Sequence, residues 1–175
     1  MDDATLIRHT LAGRREDFDI LVERHQRALY AFVFRLVRDQ HLTADIVQAT
    51  FVRAYTRLAQ FQERSSFSTW LHQIALNEYR ARRRASRQQH EVTLEEGTVD
   101  SIAAPENQAA GWKHKLGDLI ARLPLRQRTV LTMRVFGDMP FKRIAEAEGI
   151  SENSAKVNYH HAVLRLRQWM KESEA

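Results

Sequence analysis

Aromatic, amide and guanidinium side chains recur on one face of a helix predicted to begin near Ser68 or Thr69. At 100° per residue, apolar side chains fall on one side of this helix. The opposite side carries Trp70, Gln73, Asn77, Arg80 and Arg84. Arginine can neutralise phosphates, and an exposed aromatic ring can stack on an unpaired base. The pattern therefore indicates a surface that binds strand-opened nucleic acid.

A polar loop precedes this helix and lies between Phe61 and Phe67. The loop consists of polar residues: Gln62, Glu63, Arg64, Ser65 and Ser66. Their side chains can hydrogen-bond the edge of an extruded base. Two structural explanations compete with this interpretation. Phe67 or Trp70 can belong to the hydrophobic core, and arginines at a helix C-terminus also suit the helix dipole.

The stretch from residue 139 to 168 has the spacing of a helix-turn-helix. Ile144 and Ala145 lie on its first helix, and Gly149 occupies a tight turn that needs a positive φ. Ser151 is expected to cap the second helix, which packs through Ala155, Tyr159 and Ala162. Its outward side chains suit a DNA major groove, and they are Asn153, Lys156, Asn158, His160 and His161. An αα-hairpin used only for packing is the alternative.

Helical periodicity also covers the remainder of the chain outside one acidic segment. The first predicted helix has the apolar positions Phe18, Leu21, Val22, Leu29, Phe32, Val33 and Leu36. The next is expected to have Thr43 as its N-cap and Asp45 in its first turn, with an apolar stripe of Val47, Phe51, Ala54 and Leu58. Further along, Leu116 to Leu123 predicts a helix that stops at Pro124, and Val130 to Val135 predicts one that ends near Gly137.

The charge distribution divides the chain into three parts. Residues 1–84 contain 14 basic and 10 acidic residues, and residues 113–175 contain 12 basic and 7 acidic residues, so both parts are basic. Residues 85–112 contain 1 basic and 5 acidic residues, so this part is acidic. The acidic part is also the least periodic, so we interpret it as a flexible linker. The sequence thus predicts an all-α protein, with a helical domain over 1–85, a linker over 86–112 and a helix-turn-helix domain over 113–175.

Composition excludes several other classes of protein. Cysteine is absent, so there is neither a disulfide framework nor a thiolate metal site. The N-terminal residues have no apolar signal-peptide core, and no window approaches a membrane span, so we expect a cytoplasmic location without membrane insertion. The eight histidines form no HExxH arrangement. A Ser nucleophile elbow and a P-loop are also absent. We therefore expect no enzyme activity, no metal and no cofactor.

Three segments, in this order, resemble the small two-domain extracytoplasmic-function (ECF) sigma factors of bacteria. TADIVQATFVRAYTRLAQF is similar to the polymerase-binding helix of that family, and FQERSSFSTWLHQIALN to its promoter-melting region. LPLRQRTVLTMRVFGDMPFKRIAEAEGIS is similar to its second domain. The resemblance covers nearly the whole chain outside the linker. It implies a sigma-2-like and a sigma-4-like domain, which would bind core RNA polymerase and promoter DNA and be controlled by a separate anti-sigma factor.

The resemblance also implies roles for individual residues. Asp45, Gln48 and Val52 would contact the clamp helices of the largest polymerase subunit. The loop from Gln62 to Ser68 would capture a flipped base of the −10 element, and Phe61 and Trp70 would border the melted junction. Asn77 and Arg80 would contact the upstream edge of that element. Lys156, Val157, His160 and His161 would face the −35 element. The predicted −35 surface also includes Ser151, Asn153 and Asn158. The linker would run toward the polymerase active-site channel.

The chain departs from the family pattern in two places. The family often has Gly and then an acid where this sequence has Glu63 and Arg64. Its recognition helix usually carries basic or aliphatic residues where this one has Asn158, Tyr159 and His161. Both changes affect which promoter is read. A free-standing helix-turn-helix regulator that binds operators remains the second hypothesis, and binding of duplex DNA without polymerase would distinguish it.

Overall fold

The computed structural model of this chain describes residues 1–90 and 111–173. Every regular element in these two ranges is helical, which confirms the predicted all-α class. The chain divides into two compact units, Met1–Ser101 and Ile102–Ala175. Residues 91–110 of the predicted linker lie outside the described residues, whereas 86–90 and 111–112 are helical, and the exact domain boundaries stay predictions.

Four α-helices make up the described part of the first unit. They are α1 (Asp3–Leu11), α2 (Glu16–Val37), α3 (Gln40–Thr56) and α4 (Phe67–His90), with a short 3-10 turn at Leu58–Gln60. Helices α2, α3 and α4 all pack against one another, and α1 packs on α2. The largest fully buried side chains come from all four helices and the 3-10 turn: Leu6, Leu21, Leu29, Phe32, Val33, Ile46, Leu58, Leu71 and Leu76.

Helix α3 begins earlier than the sequence predicted. Asp39 is its N-cap, because this residue has extended backbone angles and its carboxylate accepts a 2.7 Å hydrogen bond from the Leu42 amide. Thr43 was therefore wrongly predicted as the cap, and it lies fully buried inside the helix. Ile46 and Thr50 take the central buried positions of α3, whereas Val47 is only half-buried. The Thr50 hydroxyl is satisfied by a 2.7 Å bond to the Ile46 carbonyl.

Helix α1 was not predicted at all. It is capped by Asp2, whose carboxylate accepts a 2.9 Å bond from the Thr5 amide. Hydrogen bonds from the side chain and backbone of Thr5 lower the pKa of Asp2, so this cap stays ionised at neutral pH. Leu6 and Ile7 bury the inner face of α1 against the rest of the unit.

The second unit contains, within its described part, α5 (Gly111–Ala121), α6 (Leu125–Val135), α7 (Phe141–Glu148) and α8 (Glu152–Glu172). Helix α8 packs against the other three helices. One buried cluster is formed by Leu119, Ile120, Leu123, Leu131, Ala162 and Leu166. The helix ends predicted near Pro124 and Gly137 are confirmed.

Helices α7 and α8 form the predicted helix-turn-helix. Gly149 ends α7 in the left-handed region, with φ 63° and ψ 38°, and the Ile150 amide donates a 3.1 Å bond back to the Ala145 carbonyl. Ser151 caps α8, and its hydroxyl accepts a 3.0 Å bond from the Ser154 amide. Ala155 and Ala162 are fully buried on the inner face of α8. The turn and the cap therefore have the geometry that their residue types predicted.

Candidate nucleic-acid and polymerase interface

Three aromatic rings are packed together where the loop meets α4. The ring centroids of Phe61 and Phe67 are 5.8 Å apart, those of Phe61 and Trp70 5.2 Å, and those of Phe67 and Trp70 5.8 Å. Phe67 is only 2% exposed, so it is a core residue, as one of the two sequence interpretations allowed. Phe61 and Trp70 are half-buried and keep part of each ring at the surface. The cluster thus has one buried ring supporting two that are accessible for stacking.

The loop between the two phenylalanines is exposed throughout, from Gln62 to Ser66. Glu63 has φ 53°, a left-handed conformation that glycine adopts far more easily. Ser66 is the N-cap of α4, since its hydroxyl accepts a 3.1 Å bond from the Thr69 amide and lies 2.9 Å from the Thr69 hydroxyl. Arg64 and Ser65 extend from the remainder of the loop at the surface.

A cavity of about 580 Å³ lies beside this loop. The loop and its flanking rings contribute Phe61, Glu63, Ser65, Ser66 and Phe67, and the other lining residues are Arg24 of α2, the N-cap Asp2, and Asp3, Ala4 and Ile7 of α1. Its volume is within the range of small-ligand sites, and its lining combines aromatic, hydroxyl and charged groups. Sequence reasoning missed the α1 wall. The capping pattern of Asp2 and Asp3 could have indicated the helix, but not its contact with the loop.

The predicted stripe along α4 lies at the surface of the first unit. Asn77 and Arg84 are exposed, while Gln73 and Arg80 are half-buried. The side chains that α4 buries on its other side include Leu71, Ala75, Leu76 and Tyr79. The structure therefore places an indole, two amides and two guanidiniums in succession along more than three turns of one helix.

The three predicted polymerase contacts share an exposed face of α3. Asp45, Gln48 and Val52 are all exposed, and Val52 is 59% exposed although it is aliphatic. Arg82 of α4 approaches Asp45 with an N–O distance of 3.9 Å. Because both side chains are solvated, this ion pair is weak and leaves Asp45 available to a partner. The face therefore presents an acid, an amide and an exposed aliphatic side chain together.

Most of the predicted groove-facing residues of α8 are accessible. Asn153, Lys156, Val157, His160 and His161 are exposed. Two of the predicted residues also have structural bonds. The Ser151 hydroxyl is used in the cap, and the Asn158 amide donates a 2.8 Å bond to the Ser154 carbonyl. Lys156 pairs with Glu152 at 2.8 Å, an exposed contact that DNA phosphates can displace.

Neither a metal cluster nor a membrane span is found in the part of the chain that the structure describes. No group of three or more His, Cys, Asp or Glu side chains in that part could hold a metal ion. Within the same residues, no helix combines the length and the apolar character needed to cross a membrane.

Comparison with known proteins gives two family matches in sequential order. Residues 21–88 match Sigma-70 region 2, and residues 113–166 match Sigma-70, region 4. Over 166 residues the chain is 28% identical to the RNA polymerase sigma factor CarQ of Myxococcus xanthus. The aligned region covers 93% of this chain and 94% of CarQ. The chain is 23% identical over 178 residues to the ECF RNA polymerase sigma factor SigW of Bacillus subtilis (strain 168), with 95% of each chain covered.

A solved structure supports the fold independently. The sigma factor RpoE from Bartonella quintana, determined in complex with the anti-sigma factor NepR, matches with a TM-score of 0.71 and 21% sequence identity. The match covers 89% of this chain and 98% of the RpoE chain. At this identity the likeness establishes the shared fold.

The second unit contains a helix-turn-helix, and the first carries a surface stripe of arginine, amide and aromatic side chains. Both features are typical of proteins that bind nucleic acid. The chain belongs to the extracytoplasmic-function group of the sigma-70 family. It binds RNA polymerase and directs initiation at specific promoters. A free-standing operator-binding regulator is not favoured, because the region 2 match accounts for most of the first unit.

Proposed function

We propose that three exposed surfaces divide the work of initiation. The α3 face of Asp45, Gln48 and Val52 binds the polymerase core. The loop and stripe of α4 bind and hold open the −10 element, and the exposed side of α8 reads the −35 element. The observation that carries the proposal is the accessibility of the α4 stripe directly beside a loop with a cavity. A purely structural helix would not need this combination of rings, amides and guanidiniums at its surface.

The physical basis of strand opening is differential binding of unpaired DNA. Extruding a base costs a few kcal/mol, and stacking on an aromatic side chain returns about 1–3 kcal/mol per base. Phe61 and Trp70 provide partly exposed rings for stacking, and the loop hydroxyl, amide and carboxylate groups can hydrogen-bond a base edge. Arg80 and Arg84 lie further along α4, where they can neutralise strand phosphates. The sigma factor thereby stabilises the melted state without making or breaking covalent bonds.

Polymerase binding is tested first by gel filtration with bacterial core RNA polymerase. The wild-type chain should co-elute, and Asp45→Ala/Gln48→Ala should not. The double variant Glu23→Ala/Gln26→Ala is a matched control, since it removes an exposed acid and an exposed glutamine at the same spacing on α2. Co-elution of both double variants would move the polymerase contact away from α3. Absence of co-elution of the folded wild-type chain would contradict the polymerase-binding role itself.

The −10 assignment is tested by Asn77→Ala, which removes an exposed amide from the α4 stripe. Promoter opening, measured by permanganate reactivity of unpaired thymines, should weaken, while co-elution with polymerase should be unchanged. A template with a pre-melted −10 region is the control, and on it most of the transcription deficit should disappear. Full promoter opening by Asn77→Ala on duplex DNA would refute the assignment of this face.

The same reasoning supports three broader proposals. The chain has no catalysis of its own, since its family is not known to be enzymatic. It acts in the cytoplasm, where bacterial polymerase and promoters are found.

The third proposal is that the chain is held inactive by an anti-sigma partner, as the RpoE complex with NepR suggests by analogy. Purification of the chain at native abundance should yield one fraction with polymerase and another with an inhibitory protein. Recovery of a single polymerase-bound fraction under all growth conditions would contradict this regulation.

A further inference from the structure

Helix α1 precedes the region 2 match, which begins at residue 21, yet it reaches the loop that is proposed to capture a base. Ile7 is buried, and Ala4 is half-buried where α1 borders the cavity. Together with Asp2 and Asp3, these residues provide one side of the 580 Å³ cavity, and the loop provides the other. Without α1, the loop would have an open side facing solvent.

A short chain of polar contacts fixes α1 in this position. Both oxygens of Asp3 are used: Oδ1 accepts a bond from Arg24 Nη1, and Oδ2 lies 2.8 Å from His25 Nε2. Arg24 Nη2 also donates a 3.0 Å bond to the Met1 carbonyl. Asp3 therefore connects α1 to two successive side chains of α2, across more than twenty residues of sequence.

The same contacts extend to the aromatic cluster. The His25 ring meets the Phe67 ring edge-on, with centroids 5.4 Å apart, and Phe67 in turn contacts Phe61 and Trp70. One carboxylate thus connects the α1 wall, the α2 support and the rings at the base of the loop. A change at Asp3 should therefore move both sides of the cavity at once.

We propose that α1 forms the second wall of the pocket that receives an unpaired base, and that Asp3 is the positioning residue that holds this wall in place. The proposal rests on the base capture proposed above and identifies the pocket as the space between α1 and the loop. The bound base lies against Phe61, within reach of the loop hydroxyls. The strand phosphates remain outside, because the three carboxylates of Asp2, Asp3 and Glu63 outnumber the one guanidinium of Arg24 among the charged groups that line the cavity.

The test uses holoenzyme and a fluorescent DNA that carries the protein's own promoter with a pre-melted −10 region. The promoter is first mapped from the 5′ ends of transcripts that the holoenzyme makes. Each non-template position of the melted region is then replaced in turn by an abasic site. For the wild-type protein, one position should lose on the order of tenfold in affinity, because its base is the one captured.

Two variants should remove this selective loss. Asp3→Asn weakens the attachment of α1, and Ala4→Phe fills the cavity while leaving the Asp3 contacts in place. Each should bind the intact strand several-fold more weakly than wild type, and the abasic site at the sensitive position should then cause little further loss. Asp19→Asn and Ala12→Phe are matched controls, because both residues are exposed and do not line the cavity. Both controls should keep the wild-type response.

The outcomes separate this inference from the function on which it rests. In one outcome, wild type has a sensitive position, but Asp3→Asn and Ala4→Phe reduce the affinity for all DNAs equally and keep the full abasic response. In that case α1 is a structural helix and the inference is overturned. If wild-type holoenzyme has no sensitive position, base capture itself is overturned together with the inference, although polymerase binding by gel filtration can still hold. Loss of the abasic response in both cavity variants, with the controls unchanged, would establish α1 as part of the pocket.

Discussion

The turn of the helix-turn-helix allows a stability prediction with a defined sign. Gly149 has φ 63° and ψ 38°, and a Cβ added there would meet no atom within 4 Å. An alanine at this position would therefore have no steric clash, only an unfavourable backbone conformation. Gly117 of α5 provides a matched control in the same unit, since its Cβ would also meet nothing within 4 Å and its φ is not positive.

The magnitude follows from two opposing effects. A left-handed conformation costs an L-residue about 1–2 kcal/mol, and replacing glycine by alanine recovers about 0.4–1 kcal/mol by restricting the unfolded chain. Gly149→Ala should therefore destabilise the second unit by about 0.5–1 kcal/mol. Gly117→Ala has only the favourable effect and should stabilise the same unit by about 0.5–1 kcal/mol. The two variants should differ by about 1.5 kcal/mol, roughly tenfold in the opening equilibrium.

The assay is amide hydrogen exchange of the full chain, followed by mass spectrometry of peptides from α8. Both substitutions lie in the unit whose core contains Ala162 and Leu166, so the same protected amides report on both. Exchange of these amides should be faster than wild type in Gly149→Ala and slower in Gly117→Ala. Equal or greater protection in Gly149→Ala would show that the left-handed turn is not maintained in solution.

Two further substitutions test contacts in the first unit by denaturant unfolding. Arg53→Ala should lower the free energy of unfolding by about 1–2 kcal/mol, because it leaves the buried Glu78 carboxylate without the Arg53 guanidinium 2.6 Å away. The loss should be smaller than for a fully buried pair, since the Arg53 side chain is half-exposed. Arg53→Met/Glu78→Leu is the control and should recover the stability, whereas unchanged stability of Arg53→Ala would contradict the reasoning. Glu63→Gly should stabilise the first unit by about 0.5–1 kcal/mol, because relief of the left-handed φ (about 1–2 kcal/mol) exceeds the cost of the added freedom of the unfolded chain (about 0.4–1 kcal/mol). Glu63→Val should be clearly less stable than Glu63→Gly, and equal stability of the two would argue against the left-handed loop.

The features that depend on local chemistry could be predicted from sequence. Gly149 and Ser151 have the conformations expected of a C-terminal glycine and an N-cap serine, because capping is decided within a few residues. The α4 stripe follows from helical periodicity alone. At the start of α3 two candidate caps, Asp39 and Thr43, lie four residues apart, and only the packing that buries Thr43 decides between them.

Features that depend on distant contacts could not be predicted in the same way. Helix α1 has nine residues, too few for a strong periodic signal, and its placement depends on Arg24 and His25 of another helix. The cavity exists only because α1 and the loop meet in space. The burial of Phe67 was one of two sequence interpretations, and neither periodicity nor composition could decide between core packing and base stacking. The family departure at Glu63 was visible in sequence, but its strained backbone was not.

The support beneath the loop would also affect the thermodynamics of the proposed base capture. Ser66 fixes the start of α4, and Phe67 is buried between the rings of Phe61, Trp70 and His25. These contacts hold both ends of the loop in the free protein, so part of the entropy needed to order the loop is lost during folding, before any DNA arrives. A preorganised loop of this kind allows more of the stacking energy to appear as net affinity. On the proposed base capture, the aromatic cluster would contribute to the lifetime of the open promoter even through Phe67, a side chain that is only 2% exposed.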